Sequence, residues 1–100
     1  MGIDVRLETE RAEQLGEPVY DSPGSYLSQA LATAQGSCVR YIDPYGNTIF
    51  NQLQLPVVIA ELEQHQSTLP PHLRDHVAKV LALLRTGLDR PHVYARFIGD

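Results

Sequence analysis

The chain has 100 residues, 43% hydrophobic and 20% charged, which predicts one soluble globular domain over residues 1–100. Acidic residues outnumber basic ones by 12 to 8, and the net charge of −4 argues against nucleic-acid binding, because phosphate neutralisation needs a clustered basic surface. No apolar run reaches the length of a membrane span, and no secretory signal is recognisable. We therefore expect a cytoplasmic protein without a membrane partner.

The first segment predicts a strand that is buried on one side. Ile3–Glu8 alternates apolar and charged residues, the period of a strand with one face in the core. The following stretch, residues 9–21, holds Gly16 and Pro18 and shows no sustained period. We interpret it mainly as a loop.

A short helix is predicted next. Ser22 is a candidate N-cap, Pro23 suits the first helical position, and an apolar stripe follows. Gly36 is expected to end this helix.

The middle of the chain predicts a β-hairpin. Residues 38–42 are β-branched and aromatic, and they begin with the single cysteine, Cys38, which we expect to be a buried, inert thiol. Residues 43–47 combine Asp, Pro and Gly in the order of a type I turn, and Gly46 can take a left-handed conformation. Residues 48–53 then predict the returning strand.

Two further helices and a last strand complete the prediction. Pro56 can open one helix, and Pro70 and Pro71 open a longer one with a regular apolar stripe. Residues 92–98 are apolar on both sides, as expected of a central strand. The order is β-α-β-β-α-α-β. The predicted fold is α+β, with a four-stranded, mainly antiparallel sheet and the helices packed mainly on one face.

Two strands of this prediction carry the same order of arginine, aromatic residue and isoleucine, starting at Arg40 and at Arg96. If the aromatic side chains face the helices, the arginines point to the open face, near the charges of the first strand and near Asn51 or Gln52. Paired guanidinium groups there can hold an acidic group of a partner. The alternative is a solvated face with ordinary cross-strand ion pairs.

Tyrosines are the other candidate contacts with a partner. Five of the seven aromatic residues are tyrosines, which combine a large rigid ring with a polar tip. Tyr45 lies at the tip of the predicted hairpin, where it has little core to enter. It is therefore a candidate interface anchor, or a ring folded over the flank of the hairpin.

No catalytic constellation is recognisable. His72 and His76 have the spacing of a two-histidine metal pair on a helix, but no glutamate follows the first histidine and nothing fixes a third ligand. We expect no metal, no cofactor and no catalytic residues, and we interpret the histidines as surface or helix-end residues. There is also no serine-nucleophile motif and no glycine-rich phosphate loop.

Residues 39–54, the opening residues 1–5 and the closing residues 96–100 resemble a group of small uncharacterised bacterial proteins. The shared core is Asp-Pro-Tyr-Gly-x-Thr-x-Phe-Asn, found here from Asp43 to Asn51. The resemblance implies a single-domain cytoplasmic protein with no assigned activity. It supplies no catalytic residues.

Three functions stay open at this stage. The favoured hypothesis is a non-enzymatic protein-binding module that uses Arg40, Arg96, Tyr45 and Asn51, including an acidic immunity-type inhibitor of a basic toxin. The second is a structural homo-oligomer that uses a sheet edge or an apolar helix face. The third is a small-ligand, metal-binding or catalytic protein.

Overall fold

A computed structural model describes residues 2–100 of the chain. In chain order the elements are β1 (Ile3–Glu8), β2 (Gln14–Val19), α1 (Tyr26–Leu31), a 3₁₀ helix (Val39–Tyr41), β3 (Asn47–Phe50), α2 (Leu55–Gln66), α3 (Pro71–Arg85) and β4 (Tyr94–Gly99). The α+β class and the four-stranded sheet are confirmed.

The sheet has the order β2-β1-β4-β3, and every neighbouring pair is antiparallel. β4 therefore lies in the interior of the sheet, as its apolar sequence predicted. The first and last strands of the chain are paired along their whole length, from Ile3 opposite Gly99 to Glu8 opposite Tyr94.

One face of the sheet carries the hydrophobic core. The core-facing side chains of β1 are at most 1% exposed, and Phe97 of β4 is fully buried. The rings of Phe50 and Phe97 meet edge to face, with centroids 5.7 Å apart. The helices pack over this face, and α3, whose apolar stripe is the longest, contacts β1, β2, α1 and α2. Helices on a single side leave the opposite face of the sheet open.

The predicted strand over residues 38–42 is wrong. This segment forms the 3₁₀ helix, and β3 pairs with β4 instead of with it. The predicted turn is present although the predicted hairpin is not, since the Gly46 nitrogen lies 3.5 Å from the Asp43 carbonyl oxygen. Gly46 is absent from the residues of positive φ, so the expected left-handed conformation is also wrong. Cys38 is buried, as expected.

The interpretation of residues 9–21 as mainly loop is wrong as well. This stretch contains β2, which pairs with β1 through a tight connection in which the Thr9 N–H donates to the Glu13 carbonyl at 2.8 Å. The predicted element order is corrected accordingly, with a second strand before the first helix. β2 is an edge strand, where a proline is tolerated because one row of its backbone groups needs no partner.

The first helix is shorter than predicted, and it begins later. α1 starts at Tyr26, although the Ser22 hydroxyl still accepts the Tyr26 N–H at 3.0 Å. α2 and α3 begin close to their prolines, which occupy the first helical turn as predicted.

Candidate functional site

The open face of the sheet carries charged side chains along its two central strands. The period of two places Asp4, Arg6 and Glu8 of β1 opposite the buried side chains of the same strand. Arg96 of β4 shares that face, because its neighbour Phe97 is 0% exposed on the core side. We call this surface the open face.

Arg6 and Arg96 are directly paired across β1 and β4, which sets two like charges side by side. Glu8 lies between them. The Arg96 Nε is 2.9 Å from both carboxylate oxygens of Glu8, and the Arg6 Nε forms an ion pair with the same carboxylate. The Glu8 side chain is only 3% exposed. Two guanidinium groups therefore share one buried carboxylate, and we call these three residues the arginine cluster.

The cluster presents hydrogen-bond donors to solvent. A guanidinium group has five N–H donors, and Glu8 accepts hydrogen bonds only from the Nε of Arg96. The Arg6 Nε is ion-paired to Glu8 but has no hydrogen-bond partner within residues 2–100. One further donor is used, since the Arg6 Nη2 lies 3.2 Å from the Ala12 carbonyl oxygen. The terminal nitrogens of Arg96 donate no hydrogen bond within residues 2–100. The two side chains are 32% and 24% exposed, so these donors are accessible while the carboxylate is not.

Apolar and aromatic side chains flank the cluster. Ile49 of β3 lies directly opposite Arg96 and is 48% exposed. It lines a groove of about 210 Å³ with Tyr94. On the other side, Tyr20 is 69% exposed and lines a shallow cavity of about 80 Å³ with Ile98. The open face thus combines two arginines with exposed tyrosine and isoleucine side chains, and arginine and aromatic residues are enriched in protein–protein interfaces.

Among the residues predicted to bind a partner, Arg96 lies on the open face as expected. Arg40 does not. It belongs to the 3₁₀ helix, where its Cζ lies 5.5 Å from the centroid of the Tyr41 ring. The prediction that Arg40 and Arg96 share a sheet face is wrong, because residues 38–42 are not a strand. The second arginine of the pair is Arg6.

Tyr45 and Asn51 lie outside the arginine cluster. Tyr45 is 70% exposed in the turn before β3, and its N–H donates to the Asp43 carboxylate at 2.8 Å. The Asn51 Oδ1 accepts the N–H groups of Leu53 and Gln54 at 2.9 Å each, so its side chain supports the entry into α2. Within residues 2–100, no hydrogen bond joins either residue to Arg96.

Sequence reasoning missed the apolar flanks of the open face. The sequence places Ile49 in a predicted strand but does not identify β4 as the neighbour of that strand. It places Tyr20 in a predicted loop. Leu15 and Val19 are the apolar residues of β2 that pack against the core, but Gly16, the exposed Glu17 and Pro18 lie between them and interrupt the alternation of a strand. Once β2 is recognised, Tyr20 follows at its end, next to the open face.

A second buried polar group joins the N-terminus of β1 to two helices. The Asp21 carboxylate accepts the N–H groups of Ile3 at 2.8 Å, Ser22 at 2.8 Å and Leu27 at 2.9 Å. His76 of α3 places its Nε2 3.6 Å from the same carboxylate, and both side chains are nearly inaccessible. Within residues 2–100, this Nε2 has no hydrogen-bond partner. His76 is therefore a buried core histidine, and its interpretation as a surface or helix-end residue is wrong.

Burial lowers the pKa of His76, the Asp21 carboxylate opposes this by raising it, and Lys79 adds to the lowering. The imidazole is therefore held neutral in the folded chain. The unfolded chain, with a histidine pKa of about 6.5, binds the proton more readily. We expect the free energy of unfolding to be at its full value above about pH 6.5 and to decrease as the pH falls through the interval below it.

This decrease is measured by urea unfolding between about pH 7.5 and about pH 5.5. His76→Gln, which cannot titrate, should show a smaller decrease over that interval. His92→Gln is the matched control, because His92 is 69% exposed and should keep the slope of the unmodified protein. Equal slopes for all three proteins would contradict the assignment.

A third polar group closes the loop between α1 and β3. The Glu61 carboxylate of α2 accepts the N–H groups of Ser37 at 2.6 Å, Cys38 at 3.0 Å and Val39 at 2.9 Å. Burial alone would raise the pKa of Glu61, but the hydrogen bonds together lower it by more than burial raises it. The pKa of Glu61 is therefore lowered. Gly36 has a φ of +109°, and a Cβ there would lie 2.4 Å from the Glu61 carboxyl carbon. The Glu61 carboxylate thus stabilises the N-terminus of the 3₁₀ helix.

Two further properties concern ligands and membranes. Within residues 2–100, no group of three or more histidine, cysteine, aspartate or glutamate side chains is placed to hold a metal ion. His72 contacts the ring of Tyr26 edge to face at 5.0 Å between centroids, and His76 lies beside Asp21. Among the helices of these residues, none has the length and apolar character needed to cross a membrane.

The resemblance of residues 39–54 to a group of small bacterial proteins stays a sequence-based prediction. The functional argument accordingly rests on the geometry of the open face. Comparison of the chain with protein-family models, with curated proteins and with solved structures gave no match.

Proposed function

We propose that this chain is a non-enzymatic protein-binding module and that it binds its partner through the open face. The observation that carries the proposal is the arginine cluster with its exposed apolar flanks, on the one sheet face that the helices leave uncovered. The terminal nitrogens of Arg96 donate to no group within residues 2–100, and the side chain is 24% exposed, so these donors can bind an acceptor on a partner. A partner would supply acceptors in place of water and cover Ile49 and Tyr20.

The charges of the cluster favour a different protein over a second copy of this chain. In a two-fold symmetric interface, the residues near the axis meet their own copies. An interface centred on Arg6 and Arg96 would therefore bring four guanidinium groups together around two buried carboxylates. Like charges in a desolvated contact are costly, whereas a partner of complementary charge avoids the cost.

The narrower hypothesis of an immunity-type inhibitor adds an identity for the partner, a basic toxin. Its support is the net charge of −4, which at long range attracts a basic protein and raises the rate of encounter. Together with the cytoplasmic location and the absence of enzymatic activity, it stays a prediction from the sequence.

The proposal is tested by placing a photo-crosslinking amino acid at Ile49 in the producing cell. Leu88 is the matched control position, since both residues are 48% exposed but Leu88 lies beyond the end of α3 and does not line the groove beside Arg96. We expect a crosslinked protein from Ile49, little from Leu88, and a weaker adduct when Arg96→Gln is added.

The mass of the adduct decides between the alternatives. An adduct larger by the mass of another protein supports the proposal. An adduct of twice 11.1 kDa would show a homo-oligomer and overturn it. Equal adducts from both positions, or none from either, would also overturn it.

A further inference from the structure

We propose that the paired arginines Arg6 and Arg96 bind a carboxylate of the protein partner. This inference rests on the proposed function and names the chemistry that the centre of the open face recognises. An acidic side chain of the partner is the occupant that the charges and the remaining donors favour.

The first argument is charge. The cluster has two guanidinium groups and one carboxylate, which leaves one positive charge without a counter-charge inside it. The carboxylate is 3% exposed, while the arginines are 32% and 24% exposed. A partner therefore meets the positive part of the cluster, although the whole chain is acidic.

The second argument is hydrogen-bond geometry. Glu8 binds Arg96 at Nε, which lies 2.9 Å from both of the Glu8 carboxylate oxygens. The terminal nitrogens of Arg96 stay available, and a planar guanidinium group offers such donors as a fork that matches the two oxygens of a carboxylate. The contact with Glu8 also fixes the orientation of the fork before the partner arrives, which reduces the entropy cost of binding.

The third argument is the shape beside Arg96. The groove of about 210 Å³ is bounded by Ile49 and Tyr94, two strand residues that can pack against the aliphatic part of an acidic side chain. Two carboxylates, Glu8 and Glu10, also line this groove. The Glu10 carboxylate lies 3.9 Å from His92 Nδ1 and is 60% exposed, and the Glu8 carboxylate is already bound to Arg96. Arg96 is the cation among the side chains that line the groove, so it is the point at which an acidic side chain would bind.

The test is a titration of the ¹⁵N-labelled full chain with glutarate, followed through the Nε–Hε signals of the arginine side chains at constant ionic strength. Glutaramide is the neutral probe of the same size, and inorganic phosphate is the competing anion. We expect saturable shifts of the Arg6 and Arg96 signals with glutarate and no saturable shift with glutaramide.

Variants separate the fork from simple charge. Arg96→Gln should weaken glutarate binding about tenfold, and Arg96→Lys, which keeps the charge without the fork, should weaken it to a smaller extent. Arg85→Gln is the matched control, because Arg85 is also ion-paired, to Glu63 at 2.7 Å, but lies on α3. It should bind glutarate as the unmodified chain does.

The outcomes are distinct from those of the crosslinking experiment. Equal shifts with glutaramide, tighter binding of phosphate than of glutarate, or unchanged binding by both Arg96 variants would overturn the carboxylate proposal. Crosslinking from Ile49 would still support a protein-binding open face in those cases. If Arg96→Gln does not fold, the comparison of Arg96→Lys with the unmodified chain decides the question.

Discussion

Replacing Asp21 by alanine is expected to lower the free energy of unfolding by about 3 kcal/mol. On the scale of a chain of this length, such a loss corresponds to a fall in Tm of roughly 15 °C. Thermal unfolding followed by circular dichroism, with urea unfolding for the free energy, measures it.

The size of the effect follows from four hydrogen bonds to one buried carboxylate. Asp21 accepts the N–H groups of Ile3 in β1, of Ser22, and of Leu27 and Ser28 in the first turn of α1. A hydrogen bond to a charged group contributes about 1.5–3 kcal/mol, and bonds on one acceptor are not additive. Alanine leaves these donors without the acceptor, in a place where water has little access because the Asp21 side chain is 3% exposed.

Two variants separate the hydrogen bonds from the loss of a side chain in general. Asp21→Asn keeps the shape and one carbonyl acceptor, so we expect about half of the loss. Asp89→Ala removes an exposed aspartate and should change the stability by less than about 0.5 kcal/mol. A loss for Asp21→Ala no larger than that for Asp89→Ala would show that Asp21 does not hold β1 and α1 together.

The elements that were predicted correctly are recognisable from the pattern of apolar residues within the element itself. β1 alternates strictly, and α3 repeats its apolar residues over 15 residues after a proline that suits a helix start. These patterns need no knowledge of the rest of the chain. The same holds for the open-face position of Arg96, because the parity of a strand fixes its faces once Phe97 is buried.

The segment that was mispredicted takes its structure from a distant residue. The composition of residues 38–42 suits a strand, and a short apolar run does not distinguish strand from helix by its period. The decision comes from Glu61, which lies 22 residues beyond Val39 in the chain and accepts the N–H groups that open the 3₁₀ helix. Rules that use only neighbouring residues in the sequence cannot predict that contact.

β2 was missed for a related reason. Gly16 and Pro18 are signals for a loop, and they are tolerated here because β2 is at the edge of the sheet and its pairing with β1 shifts register between Val5 and Leu7. Gly16 has a φ of +69°, which glycine adopts at little cost. Only the assembled sheet shows that the segment is a strand.

The candidate site was consequently predicted in part. The sequence indicated a guanidinium pair on the open face, but it named Arg40 as the partner of Arg96 where the register supplies Arg6. Which arginine lies beside Arg96 depends on which strands are neighbours, and the neighbouring strands follow from the topology of the whole sheet.

Replacing Glu8 by glutamine is expected to lower the free energy of unfolding by about 2–3 kcal/mol. Glutamine has nearly the same size, so the packing is retained, but Arg6 and Arg96 then lie side by side without a counter-charge. The cost stays below that of a fully buried ion pair because both arginines are partly exposed. Urea unfolding at neutral pH measures the change.

Glu63→Gln provides the matched control. Glu63 also pairs with an arginine, Arg85, at 2.7 Å, but the two side chains are 49% and 47% exposed. Solvent screens that pair, so the loss should stay below about 0.5 kcal/mol. Similar losses in the two variants would mean that burial adds nothing to the arginine cluster.

A double variant distinguishes charge from hydrogen bonding. If the repulsion between the arginines causes the loss, adding Arg6→Gln to Glu8→Gln should recover about 1 kcal/mol, because only one guanidinium group then remains. If the missing acceptor causes it, the double variant should be no more stable than Glu8→Gln alone. Recovery would also show why the cluster keeps a buried carboxylate: Glu8 holds two like charges together on the open face, where a partner can use both.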